Sequence, residues 1–151
     1  MTLRATFEGY LLALAVVAAR QGTCSKRQVG CVIANTNNRV ISIGYNGVAA
    51  GRAHCIDSPC KTVTERAPVS HIKCMSQHAE ISALIQAGAA TYGGTMAITT
   101  SPCASCTIAL ITAGVKRLVF SEVNRLWDNE IDYEVSPYQL VTEAKISWAL
   151  V

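Results

Sequence analysis

The sequence predicts an α/β fold, a sheet with helices packed on its faces, and three observations carry that expectation. Two β-rich runs, Val29 to Ala34 and Arg39 to Ile43, are separated by Asn35-Thr36-Asn37-Asn38, a strong hairpin signal. Helical and strand patterns then alternate twice over residues 78–120, as expected where helices cover a sheet. Finally, 151 residues, half of them apolar and only 15% charged, suit one compact domain and exclude a disordered tail protein.

Taken in chain order, the first helix is expected from about Leu3 to Gln21, stopped by Gly22. The hairpin follows. From Gly44 to Gln77 periodicity is poor and Gly, Pro, Cys and His are abundant, so this stretch reads as a long irregular excursion, either functional or held by something other than a core. His78 to Ala87 has helical spacing in Ile81, Leu84 and Ile85, and Gly88 ends it. Thr95 to Thr99 reads as a strand, Ala104 to Ala113 as a helix stopped by Gly114, and Lys116 to Phe120 as another strand. Beyond Glu122 the pattern is ambiguous, and Thr142 to Leu150 fits either a strand or a short helix. No repeat or linker intervenes, so residues 1–151 are read as a single domain with an insertion at about 52–77.

A net charge of +3 is too weak for a duplex-binding surface but compatible with a small phosphorylated ligand. Seven cysteines, an odd number, do not describe a small disulfide scaffold and suit buried thiols in a reducing cytoplasm. The apolar run Leu11 to Ala19 is about half the ~20 residues that span a bilayer. With Arg4 before it and Ala18-Ala19 at its end it loosely mimics a signal peptide, but Tyr10 and Arg20 at its margins suit a packed N-terminal helix. A cytoplasmic protein without a membrane partner is therefore expected.

Two short motifs fall at expected helix starts: His78-Ala79-Glu80, and Ser101-Pro102-Cys103-Ala104-Ser105-Cys106. Cysteines at a helix N-terminus face the positive end of the macrodipole, which favours the thiolate that metals require. His78, Cys103 and Cys106 would hold a tetrahedral zinc with one position open to water, whose pKa the ion lowers. Glu80 is too close to His78 to be needed as a ligand and is cast as a proton shuttle. A redox C-x-x-C would need neither His78 nor Glu80, and a closed structural zinc would want a fourth protein ligand. Elsewhere, Ser25, Lys26 and Arg27 are candidates for phosphate recognition, the alternative being a solvated basic turn. Cys55, Cys60, His71 and Cys74, with Cys24, suggest a closed zinc site organising the excursion, the alternative being ordinary thiols. Cys31 alternates within a strand and reads as core.

H-x-E followed by P-C-x-x-C is the signature of zinc-dependent base deaminases. From about Cys24 to Glu122 the sequence resembles the deoxycytidylate (dCMP) deaminases of bacterial, archaeal and phage type. The matching stretches are Thr23 to Gly30, Gly44-Tyr45-Asn46-Gly47 with Gly51, His54-Cys55, His78-Ala79-Glu80, Thr100 to Cys106, and Ile111 to Lys116. The G-Y-N-G segment narrows the resemblance to the dCMP enzymes. It implies a three-layer α/β/α cytidine deaminase fold with a mixed central sheet, and zinc-dependent hydrolysis of dCMP to dUMP and ammonia. It further implies a hexamer that dCTP activates and dTTP inhibits at one shared site, which would fall on Ser42, Ile43, Gly44, Tyr45, Asn46 and Gly47. Glycines there permit close ligand approach, and Asn46 offers a donor and an acceptor; a tight turn is the alternative. In the implied reaction Glu80 moves protons from water to N3 and to the departing amine, while Thr100 and Ser101 hold base or sugar, Ser101 being equally a helix cap. Related phage enzymes carry a structural zinc at positions matching Cys24, Cys55 and His71; Cys74 is chosen as fourth ligand, with Cys60 as competitor.

Two positions depart from the family. Ser82 stands where H-A-E-x-N-A has asparagine, and the tyrosine that stacks on cytosine shortly after the strand ending at Phe120 is missing, leaving Trp127 as its expected substitute, the alternative being an aromatic that packs the tail. Rival readings are a deaminase of another cytosine or adenine substrate, including a tRNA adenosine editor with a stronger basic face, or a zinc-binding module in which Glu80 is dispensable.

Overall fold

Thr6 begins the first helix, α1 (Phe7–Ala19), its hydroxyl accepting from the Gly9 amide at 3.1 Å. The helix is therefore shorter than the expected Leu3 to Gln21. The computed structural model describes residues 3–58, 60, 74–125, 127–128 and 134–151. The hairpin forms as expected from β1 (Gly30–Ala34) and β2 (Val40–Tyr45). Its turn is built by Asn35, whose side chain accepts the Asn37 and Arg39 amides at 3.0 Å, and by Asn38 at a left-handed φ of 58°.

Short strands β3 (Gly47–Val48) and β4 (Ser76–Gln77) pair antiparallel and close the base of the excursion. His71 lies outside the described residues. Next come α2 (Ala79–Ala87), a 3-10 turn (Gly88–Thr91), β5 (Thr95–Ile98), α3 (Ala104–Thr112) and β6 (Arg117–Phe120), close to their expected bounds. The ambiguous tail contains both alternatives in succession: α4 (Pro137–Glu143), then β7 (Ser147–Leu150). Ser136 and Gln139 form a reciprocal capping box with Pro137 in the first turn, and Lys145 at φ 55° separates helix from strand.

The sheet runs β2-β1-β5-β6-β7, with β1 antiparallel to both neighbours and β5, β6 and β7 mutually parallel. On one face α1 packs Leu11, Leu12 and Ala15 against Val32, Ala34, Ala97 and Val119. The other face carries the larger core, in which Ile33, Met96, Ile98, Leu118 and Phe120 meet Ala79 and Ala83 of α2, Leu110 of α3 and Val141 of α4. This is the expected three-layer α/β/α arrangement with a mixed sheet. Among the described residues no helix is long and apolar enough to cross a membrane.

Two residues of β2 seat the start of α2. The Ser42 hydroxyl donates to the Ala83 carbonyl at 2.8 Å. Gly44 lies so close beneath the helix that a Cβ would come within 2.3 Å of the Ala79 carbonyl oxygen and 2.6 Å of the Ala83 nitrogen. Gly44→Ala is thus expected to cost about 1–3 kcal/mol by overpacking, read as a lowered denaturant midpoint at unchanged m-value.

Candidate active site

Loops leaving the carboxyl ends of parallel strands commonly build ligand sites. Here β5 leads through Thr99–Pro102 to Cys103, the N-cap of α3, while His78 is the N-cap of α2. Neither helix start is capped by a side chain. The two starts converge: His78 Nδ1 lies 3.6 Å from Cys103 Sγ and 3.4 Å from Cys106 Sγ. A tetrahedral zinc with ordinary Zn–N and Zn–S bonds separates its nitrogen and sulfur ligands by about 3.6 Å, so the donor set fits that ion in type and spacing. Among the described residues this is the group of three metal-ligating side chains that comes within 4.8 Å, and no fourth side chain joins it.

The electrostatics are those of a poised site. Cys103 is held down to about 4, chiefly because the Cys106 thiol donates to it and also because His78 stands beside it. Cys106, the donor of that bond and itself buried, is pushed up correspondingly. The bond to Cys103 raises His78 against the opposing effect of burial. Glu80, 4% exposed, is raised first by desolvation, which brings a carboxyl toward neutral pH where it can both take and give a proton. Cys31 is fully buried, as its strand alternation suggested.

A cleft of about 280 Å³ opens over His78, Glu80 and Cys103. Lys26 and Arg27 line it as expected, and Ser25 does not. Thr100 and Ser101 line it too. The Thr100 hydroxyl, and that of Ser76 on the same cleft, are buried without a hydrogen-bond partner among the described residues and are suited to a ligand. Ser101 is not the helix cap, which is Cys103. Its amide donates to the Glu122 carbonyl at 2.7 Å and its hydroxyl accepts the Asn124 amide at 2.9 Å. The Asn124 side chain donates in turn to the Ser101 carbonyl. These bonds lash the loop after β6 to the loop that carries the cysteines, and they bring Asn124 and Arg125 to the cleft. Sequence reasoning passed over both, because a lone Asn-Arg pair after a strand carries no periodic or motif signal.

Trp127 requires a correction. It is 4% exposed, packed edge-on against Phe120 at 5.0 Å and Trp148 at 5.4 Å, and does not line the cleft. The apolar ring closes the core beneath α4 and β7, and the polar residues before it face the ligand space instead.

The residues expected at an effector site divide into two groups. Ser42 and Gly44 are buried under α2. The Asn46 side chain is engaged by backbone, accepting the Val29 amide at 2.8 Å and donating to the Arg27 carbonyl at 2.7 Å, so it steadies the segment that carries Arg27. Ile43 and Tyr45 are exposed. Tyr45 and Gly47 line a separate shallow cleft of about 310 Å³ with Gln77 and Ser82. In the excursion, burial and then the nearby sulfurs of Cys60, Cys24 and Cys74 raise the Cys55 thiol, which places the four cysteines in one neighbourhood. Among the described residues no three of them reach the spacing seen at His78, Cys103 and Cys106.

The depressed Cys103 thiol has a direct consequence. With a pKa near 4 it is a thiolate at pH 6, where an ordinary thiol is less than about 1% ionised. Iodoacetamide at pH 6 is expected to label Cys103 first in metal-stripped protein, with zinc protecting it, as read by peptide mass spectrometry.

Comparison with known proteins agrees with this geometry. The chain is 32% identical over 126 residues to the deoxycytidylate deaminase of Saccharomyces cerevisiae, a match covering 82% of this chain and 40% of the yeast protein. It therefore spans about two fifths of that relative's length. The deoxycytidylate deaminase of Mycobacterium phage D29 is 31% identical over 123 residues, which cover 78% of this chain and 95% of the phage protein. In fold, the dCMP deaminase of cyanophage S-TIM5, solved in complex with dCMP and dUMP, superposes with a TM-score of 0.77 over 99% of this chain and 100% of its own at 18% identity. The model of the cytidine and deoxycytidylate deaminase zinc-binding region matches residues 6–122, and the chain belongs to that family.

Proposed function

We propose that this protein is a zinc-dependent deaminase that hydrolyses dCMP to dUMP and ammonia. The observation that carries the reading is the His78, Cys103 and Cys106 donor set beside a buried, pKa-raised Glu80 in an open cleft. Names of relatives from yeast and phage support the substrate. When bound, zinc supplies Lewis acidity that eases ionisation of a water molecule near neutral pH. Glu80 then takes a proton from the attacking water as the C4–O bond forms and places it on N3. It moves a second proton from the new hydroxyl to the amino nitrogen as the C4–N bond breaks, releasing ammonia. One carboxylate serves both transfers, which its raised pKa permits. Thr100 and Ser101, and with them Ser76, offer hydroxyl or main-chain groups to base and sugar.

A second, structural zinc is proposed for the excursion, held by Cys24, Cys55, His71 and Cys74 with Cys60 as competitor for the fourth place. The shared neighbourhood of the four cysteines supports it. Regulation by dCTP and dTTP is proposed at the shallow cleft beside Tyr45 and Gly47. The exposed apolar side chains of α1, Tyr10, Val16 and Val17, support a homo-oligomer, read as a hexamer. Seven free cysteines support a cytoplasmic location.

Glu80→Gln is expected to retain zinc while kcat for dCMP falls about 10²–10⁴-fold in an ultraviolet assay. An active variant contradicts the shuttle role. Elemental analysis is expected to find two zinc ions per chain, one after Cys24→Ala and two after Cys60→Ala. A single ion in the unaltered protein overturns the structural site, and loss of an ion in Cys60→Ala moves the fourth ligand to that residue.

A further inference from the structure

A further cleft, of about 690 Å³, opens between the first turns of α1 and the β1–β2 hairpin, lined by Arg4, Phe7, Tyr10, Asn38, Arg39 and Val40. Its volume falls in the range of about 300–1,000 Å³ in which small ligands are held. It shares none of these residues with the cleft over Glu80 or the one beside Tyr45. Two arginines reach it from separate chain segments, Arg4 from before α1 and Arg39 from the end of the hairpin turn. Both are exposed, and among the described residues neither side chain has an ion pair or hydrogen bond. Glu8, the acidic residue nearest to Arg4 in sequence, is taken by Arg117, whose Nε and Nη2 both donate to it at 2.7 Å. Among the described residues no carboxylate lines the cleft, and the N-terminal end of α1 adds positive potential to its wall. The walls are also anchored. Asn35 holds Arg39 at both main-chain groups, its side chain accepting the Arg39 amide at 3.0 Å and its own amide donating to the Arg39 carbonyl at 2.9 Å. Phe7 and Val40 pack against the core on the α1 face of the sheet, so the floor is apolar, and Tyr10 stands beside Phe7 with ring centroids 6.4 Å apart.

We propose that this cleft is a second ligand site, which binds a phosphomonoester carried on a flat ring. The inference stands apart from the deaminase reading, because no residue of the metal centre or of the cleft above it takes part. One guanidinium fork satisfies a carboxylate, whereas two forks from different chain segments match the three terminal oxygens and double charge of a phosphomonoester. Neither arginine has a carboxylate to give up before it binds. With the phosphate held between Arg4 and Arg39, the ring attached to it lies over Phe7 and Tyr10 and covers the apolar floor.

The test uses the zinc-loaded, full-length protein and 4-bromophenyl phosphate in calorimetric titrations, with 4-bromobenzoate and inorganic phosphate as separate arms. The phosphomonoester is expected to bind with a Kd of about 1 mM or tighter, and at least about tenfold more tightly than either arm. Arg39→Ala and Arg4→Ala are each expected to weaken it about 10–100-fold, and Arg39→Lys to recover part of the loss. Arg20→Ala removes the same charge at the other end of α1, outside the cleft, and is expected to leave binding within about twofold. In soaked crystals the bromine anomalous peak is expected over Phe7 and Tyr10. Binding that survives both Arg39→Ala and Arg4→Ala overturns the proposal, as does equal weakening by Arg20→Ala, which marks attraction to net charge alone. Bromine found only in the cleft over Glu80, or no binding tighter than about 10 mM, overturns it as well.

Discussion

Everything distinctive in this molecule depends on two helix N-termini being brought within one ligand's reach of each other. His78 and Cys103 are both N-caps, and neither helix start is closed by its own side chains. The macrodipoles favour negative charge at that point, and the Cys106 thiol and His78 beside it hold Cys103 far below an ordinary thiol. Converging like dipole ends repel unless something anionic or coordinating occupies the gap. A cation held by two sulfurs and an imidazole meets that requirement, because the thiolates supply the negative charge that the helix ends favour.

The sheet enforces the convergence. Antiparallel pairing of β1 with β5 and parallel pairing of β5 with β6 fix where the cysteine loop begins, while Ser42 and Gly44 press α2 onto the outer strand. Close contact at Gly44 explains why a glycine from the G-Y-N-G segment matters to the catalytic centre, independently of any effector. Asn46 likewise serves the cleft by tying down the Arg27 backbone. From the opposite side, the three bonds around Ser101 make the loop after β6 part of the same rigid frame. Deep burial of the carboxylate and exposure of the cations then follow from one geometry.

Local signals in the sequence reported the local structure well. Asn35 to Asn38 built the expected turn, and the two short motifs identified the metal donors because ligand type, spacing and helix starts all coincided. Helix α1 is shorter than its composition suggests, because the Thr6 hydroxyl caps it after Leu3 to Ala5 and it ends at Ala19, before Gln21. In the tail, a helix and a strand follow each other too closely for either period to show, although Ser136-Pro137 and Gln139 formed a legible capping box. Trp127 illustrates the harder limit. Its side chain faces the core only because Phe120 and Trp148 converge on it, a long-range fact that no window of residues contains. Likewise Asn124 and Arg125 reach the cleft through bonds between Asn124 and Ser101, a contact across 23 residues of chain.

A zinc ion bound by three side chains with a fourth position free is the arrangement on which the proposed chemistry depends. Diffraction data collected at the zinc absorption edge, from crystals of the zinc-loaded protein, test this most directly. The expected result is an anomalous peak about 2.1 Å from His78 Nδ1 and about 2.3 Å from the Sγ atoms of Cys103 and Cys106, with no other side chain coordinated. A peak there sealed by a fourth side chain, or no peak between these residues, would contradict it.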